Sequence, residues 1–474
     1  MQHLKKTLGL ILACLLVFSV IPVSLVSAYN VGDIVEYGRY PQTLITDSVR
    51  SEQFLGILEN AQAAAVQRAA DNARTVLNAK YNNANIYYDL IKGNPSLTEI
   101  SDTFYSQLQQ AQSVRAYADA TYTQLNEAIA QLEEALQNAM AAVAAIDESV
   151  NASFTPDAAY VPLAPTVWKS YGYSSGTGDR YDGLMTSSDY MMYYDFTHGT
   201  ETYRAVRFTS YRPYYVGYTA GNDKLRTYQD DNNYNPDQVY FFHYEPLKWR
   251  VINPSTGLIL CDSIIDAQPY ASVVFASGGK YFSDSTAKNL ANDYKNSTIH
   301  KWIIRDFFDT AFTRAQQSSI PTTLISFNDG TTASERVFLP SISDVSNENY
   351  GFGKANVRDG ARKASGTDYA KCQGLYKSTD SRNANFAPWW LRDSDSNSAK
   401  AMCVSYDGKV ENESATVDLN YVGIRPACYV NNLVSESELC KFCGKKHGDS
   451  FFQRIIAFFH RIFAFIRRTD INMG

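Results

Sequence analysis

Trp389-Trp390-Leu391-Arg392, taken with Gly423-Ile424-Arg425-Pro426-Ala427, decides how the body of this chain is built. Successive side chains of a strand point to opposite faces, so the first run predicts a strand with one tryptophan in the core and the other nearer a surface. Arg392 and Arg425 stand among apolar residues, and a buried guanidinium needs carboxylates or carbonyls around it. Both are therefore expected to serve a fold network rather than a site, while Trp389, Trp390 and Arg392 stay candidates for ligand contact. Upstream, Gly32-Asp33-Ile34-Val35-Glu36-Tyr37-Gly38-Arg39-Tyr40-Pro41-Gln42 and Leu247-Lys248-Trp249-Arg250-Val251-Ile252 read as further strands, and Ile299 to Phe312 as a helix carrying Trp302, Phe307, Phe308 and Phe312.

These motifs sit in a chain of 474 residues, long enough for two or three domains. It is 45% hydrophobic and 13% aromatic, a globular composition with material for a sizeable core. A formal charge of -6, with no dense basic face in the body, argues against nucleic acid as a partner.

Residues 1–28 combine Lys5 and Lys6, an apolar run from Leu8 to Val20 and a small-residue site at Val26-Ser27-Ala28, the pattern of a secretory signal peptide. Export would leave six of the seven cysteines. Cys403 and Cys428 fall in segments that read as neighbouring strands, which makes them the disulfide candidate; the alternative is buried free thiols packing as small hydrophobes.

Residues 51–150 hold 21 Ala, two Gly and one Pro, a helical composition. Leu125, Ile129, Leu132, Leu136 and Met140, and again Phe104, Leu108, Ala111 and Val114, recur at helical spacing. The expectation is a bundle of three helices at 53–80, 97–116 and 121–146. Its segments 104–111 and 119–132 resemble FIVAR-type repeats of Gram-positive surface proteins, which implies a spacer with occasional binding roles. Residues 160–245 then hold 16 of the 34 tyrosines among turn formers, predicting short strands and long loops. Rings such as Tyr214, Tyr215 and Tyr218 suit a recognition surface, because tyrosine covers area at low entropic cost; packing within a β-rich core is the competing use.

The strand and helix motifs quoted above, together with Tyr369-Ala370-Lys371-Cys372-Gln373-Gly374, resemble in order an uncharacterised domain family of secreted bacterial proteins. The resemblance covers 29–43 and 246–432, with 51–150 as an inserted helical bundle and 151–245 as a Tyr-rich β/loop insert. That family is similar, more distantly, to C-type lectins and to formylglycine-generating sulfatase-modifying enzymes, which implies an α+β, C-type-lectin-like fold. Where a serine usually follows the Trp-Trp-Leu-Arg run, this chain has Asp393.

An enzyme reading would lean on the formylglycine-generating resemblance, whose close cysteine pair binds copper, and no body cysteine here has a partner within 20 residues. There is no G-x-S-x-G, H-E-x-x-H or G-x-x-x-x-G-K segment either. After Asn432 comes a linker to Cys440 and Cys443, half of a zinc site for which His447 would be the third ligand and His460 a distant fourth, with a local disulfide or free thiols as alternatives. Phe451 to Arg468 then reads as a basic amphipathic helix about 27 Å long, suited to anionic lipid or a partner's groove. The expectation is a secreted protein retained at the cell envelope, a non-catalytic binding or adhesion module for a glycan or protein ligand. The alternatives are a degenerate enzyme and a structural envelope component.

Overall fold

The computed structural model describes residues 29–170, 191–209, 211–212, 228–271, 275–276, 280–281, 292–327 and 330–431. They are mixed α+β and form two compact units, one of Ile45–Lys169 and one of the described residues on either side of it.

The smaller unit is a helical bundle of α1 (Ser48–Ile91), α2 (Thr98–Ala116) and α3 (Tyr122–Asp147). Asp47 caps α1 by accepting from the backbone N–H of Val49 and Arg50, and Thr121 forms a reciprocal capping box with Gln124 on α3. The first helix runs eleven residues past the expected 80, because Ala84, Tyr87 and Ile91 continue its buried stripe until Gly93 and Pro95 end it. Lys80 is buried in this bundle, and its Nζ pairs with Glu133 at 2.6 Å.

In the larger unit, β1 (Ile34–Leu44) is followed beyond the bundle by β2 (Met192–His198), β3 (Glu201–Phe208), β4 (Gln238–Asn253), β5 (Leu258–Cys261) and β6 (Asp266–Ala267). The long β4 carries β1 along one edge; on its other edge it pairs first with β3 and then with β5. Gly38 sits at the bulge of β1 with φ +76°, where a Cβ would meet Phe312 at 2.7 Å, so the turn and the close approach both demand glycine.

A helical segment follows: α4 (Thr298–Trp302), a π-helical turn over Ile303–Phe307, and α5 (Phe308–Ala311). The hairpin of β7 (Thr323–Ser326) and β8 (Thr332–Glu335) leads into β9 (Val337–Phe338), and α6 (Asp368–Cys372) lies further on. The last strands are β10 (Trp389–Ser394), β11 (Lys400–Val404), β12 (Ser414–Thr416), β13 (Gly423–Ile424) and β14 (Ala427–Tyr429).

The strands make two main sheets. One runs β9-β14-β5-β4-β3-β2 with β1 on β4, and the other runs β12-β11-β10-β13-β6. The Gly423–Ala427 motif is where the chain crosses between them: Gly423 and Ile424 belong to the second sheet, Ala427 to the first. Gly423 is required there because a Cβ would lie 2.4 Å from Ile264. Among the strands named here every pair in these sheets is antiparallel except β10 beside β13, which is parallel.

Candidate functional site

Strand β10 alternates as the sequence predicts, but neither tryptophan reaches a surface. Trp390 is buried in the main core and Trp389 in a second core with Leu391 and Val404. The sheet is covered on both faces, so alternation sorts the rings between two interiors. Their indole N–H groups are both satisfied, Trp389 donating to Arg362 O at 3.1 Å and Trp390 to Gln268 O at 2.9 Å.

Arg392 is held as a buried cation requires, whereas the buried Nη2 of Arg425 has no hydrogen-bond partner among the described residues. Arg392 donates to Asp344 Oδ2 at 2.6 Å, Leu339 O at 3.0 Å and Ser326 O at 3.0 Å. Asp393 accepts the backbone N–H of Ile342 at 2.5 Å and so fastens the turn that also carries Asp344. Arg425 plugs the crossing between sheets, donating from Nε to Cys261 O at 2.6 Å and lying 5.1 Å from the Trp389 ring. Burial lowers its pKa to about 10, the like charge of Arg250 adding to the effect and Asp262 opposing it.

Cys403 and Cys428 are both buried free thiols. Cys403 stands in the second sheet opposite Trp390, whereas Cys428 has crossed into the first sheet opposite Ile259, so no disulfide joins them. Burial raises both thiols, as it does Cys261 and Cys372, which disfavours the nucleophilic thiolate in all four. Tyr214, Tyr215, Tyr218, Cys440, Cys443, His447, His460 and the 451–468 segment lie outside the described residues. Among the described residues no cluster of three or more His, Cys, Asp or Glu could hold a metal, and no helix is long and apolar enough to cross a membrane.

The densest functional chemistry lies on Arg204, which the sequence did not single out. Its guanidinium forms a fork to Asp195, Nε to Oδ1 and Nη2 to Oδ2, both at 2.7 Å. It also donates to Tyr244 Oη at 2.8 Å and Tyr369 Oη at 3.1 Å. Four tyrosine rings surround the cation, with centroids at 4.2 Å for Tyr193, 5.6 Å for Tyr244, 5.7 Å for Tyr369 and 5.9 Å for Tyr40. Hairpin register places this pair: Gly199 and Thr200 turn the chain, His198 meets Glu201, and Asp195 falls directly opposite Arg204. A Gly-bearing two-residue turn between alternating strands was the available signal.

This cage has an inner and an outer end. Inside, Tyr40 Oη donates to Asp266 Oδ2 at 3.4 Å; Asp266 is fully buried, and desolvation lifts its carboxyl to about 6 against the pull of Arg212, the Ala267 N–H and Arg204. Outside, Asp195 keeps 31% of its side chain exposed and Tyr193 is half-buried. Asp306 stands exposed on the π-helical turn, and its charge adds, after burial and Asp195, to the upward shift of Tyr193. π-bulges in helices often mark functional positions because they re-aim a side chain. The outer end thus offers an aromatic ring with the partly exposed Asp195 near it, on a base made rigid by the Arg204 fork.

Residues 258–432 match the family model described as a domain of unknown function, DUF6273. The match spans β5 to β14 and agrees with the expectation of an uncharacterised domain family over this stretch. No curated protein matches the chain, and no solved structure does.

Proposed function

We propose that this chain is an exported, non-catalytic binding protein with a C-type-lectin-like body, held at the cell envelope through its 451–468 segment, and that it takes a glycan. The observation that carries the reading is the outer end of the tyrosine cage. Tyr193 supplies a ring against which a sugar face can stack, and Asp195 and Asp306 supply acceptors for hydroxyl groups. Both oxygens of Asp195 are already oriented by Arg204, so little ordering cost remains to be met on binding. The candidate tryptophans and Arg392 contribute by holding the scaffold rather than by touching ligand.

The test is a binding screen of the chain from residue 29 onward against host and bacterial glycans and purified cell wall. Saturable binding competed by free sugar, weakened at least about tenfold in Tyr193→Ala and in Asp306→Asn, supports the reading. Binding that is absent, or that ignores both substitutions, refutes it. Retention is tested separately: deleting 440–474 should move the protein from the cell fraction to the medium.

A further inference from the structure

Lys363 and Asn383 meet on the approach to β10. Lys363 Nζ donates to Asn383 Oδ1 at 2.8 Å, and Nδ2 of the same amide donates to Asp380 Oδ2 at 2.9 Å. An ammonium needs an acceptor and a carboxylate needs a donor, so this network fixes which end of the amide is oxygen. Asn383 is only 8% exposed, and Lys363 is half-buried with Nζ 5.4 Å from the Phe386 ring centroid. The backbone holds both partners in place: Asn383 N donates to Asp380 O at 2.9 Å, Phe386 N to Asn383 O at 2.9 Å, and Ala387 N to Ala364 O at 3.1 Å. Arg362, next to Lys363, is anchored by its own guanidinium to five carbonyls.

An amine held against a primary amide, with a carboxylate on the leaving nitrogen, contains the parts of an intramolecular transamidation. We propose that Lys363 and Asn383 form an isopeptide cross-link between Nζ and Cγ, with Asp380 carrying the proton. The uncharged Nζ attacks Cγ, a C–N bond forms and the carbonyl electron pair moves onto Oδ1. As that pair returns, the Cγ–Nδ2 bond breaks; the proton lost from Nζ passes through Asp380 to Nδ2, which leaves as ammonia. Amine and primary amide become secondary amide and ammonia, with no oxidant or other co-reactant. Asp380 is ionised and so open to a proton, the backbone N–H of Arg382 and then the Asn383 amide holding its carboxyl below the usual range; that shift keeps it unprotonated rather than making it a stronger base. Fixed proximity replaces a bimolecular encounter, and the need for a free amine makes the reaction faster at higher pH.

The experiment is intact-mass measurement and peptide mapping of the full-length chain after incubation at about pH 7 and at about pH 9, the second nearer the ordinary lysine range. The expected result is a chain lighter by one ammonia, with a branched peptide joining Lys363 to Asn383, accumulating faster at the higher pH. Lys363→Arg and Asn383→Ala should abolish the link, and Asp380→Asn should slow it by at least about tenfold. Full mass with unlinked peptides at both pH values overturns the proposal, as does ammonia loss that maps to Asn383 alone. A link that forms as fast in Asp380→Asn overturns the role given to that carboxylate.

Discussion

Asp266→Asn should change how stability depends on pH by a predictable amount. Asp266 is sealed between the two sheets, and its carboxyl is raised from 3.8 to about 6, chiefly by burial. Between those two values the folded state binds more proton than the unfolded state, so stability falls as pH rises through this window. Below about pH 3.8 the penalty is absent, and above about pH 6 it is fully present. A shift of this size corresponds to about 3 kcal/mol of differential stability. Asparagine cannot ionise, so the stability of Asp266→Asn relative to the parent should rise by about 3 kcal/mol between about pH 3.5 and about pH 7. Any constant cost of the substitution cancels in that difference.

Urea unfolding followed by tryptophan fluorescence is the suitable assay, because Trp249, Trp302, Trp389 and Trp390 all report on the larger unit and only Trp168 on the helical one. Other groups titrate alike in both proteins and drop out of the comparison. Parallel stability curves across the whole range would refute the assignment of a buried, ionising Asp266. An opposite slope would mean that Arg212 and Arg204 outweigh desolvation, reversing the balance argued above.

Three further substitutions probe the buried network. Arg362→Lys leaves at least two of five backbone carbonyls without a donor and should cost about 2–6 kcal/mol in chemical denaturation, at about 1–3 kcal/mol for each orphaned acceptor. His300 Nε2 lies 2.8 Å from Glu335 Oε1, and its Nδ1 lies 3.0 Å from Lys295 O, a group that can only accept. His300→Leu should therefore strand a buried carboxylate, costing about 3–5 kcal/mol and speeding amide exchange first in the hairpin over Thr323–Glu335. Trp390→Ala should cost about 3–5 kcal/mol through cavity formation, measured by the same urea titration; a neutral result would contradict its burial.

What the sequence made legible was local. The stripe of α1 and α3, the alternation at β10 and the need for partners around Arg392 and Arg425 all follow from spacing or from the chemistry of a single side chain. What it hid depended on distant segments. Whether Trp389 faces solvent is decided by Ile264, Ala364 and Leu375, residues of the second core that no feature of the tryptophan run identifies. The disulfide expectation failed for a similar reason: Cys403 and Cys428 do lie on strands, but the turn at Arg425 and Pro426 moves the second one into another sheet. The Arg204 cage draws on β1, β2, β3, β4 and α6, so only the Asp195 and Arg204 register was within reach of a hairpin rule.

The arginines show how this fold manages charge in a doubly covered sheet. A guanidinium has five N–H donors in a plane, and Arg362 uses them all on backbone carbonyls: Nε on Gly408, Nη1 on Val345 and Gly353, and Nη2 on Lys354 and Val357. The nearest carboxylate oxygen, on Asp359, is 3.9 Å away. Such a residue acts as an internal cation that gathers irregular loop backbone, whose carbonyls would otherwise be buried without partners. Arg392 does the same for the strand ends near Ser326 and Leu339, with Asp344 balancing its charge. Arg204 differs in that its counter-ion is more open to solvent, 31% against 19% for Asp344, and its other contacts are phenols rather than carbonyls. All three cations are buried, so what sets Arg204 apart is the exposed edge of its partner Asp195. That distinction assigns Arg362 and Arg392 to the scaffold and makes the Arg204 cage the place where the proposed binding is to be tested.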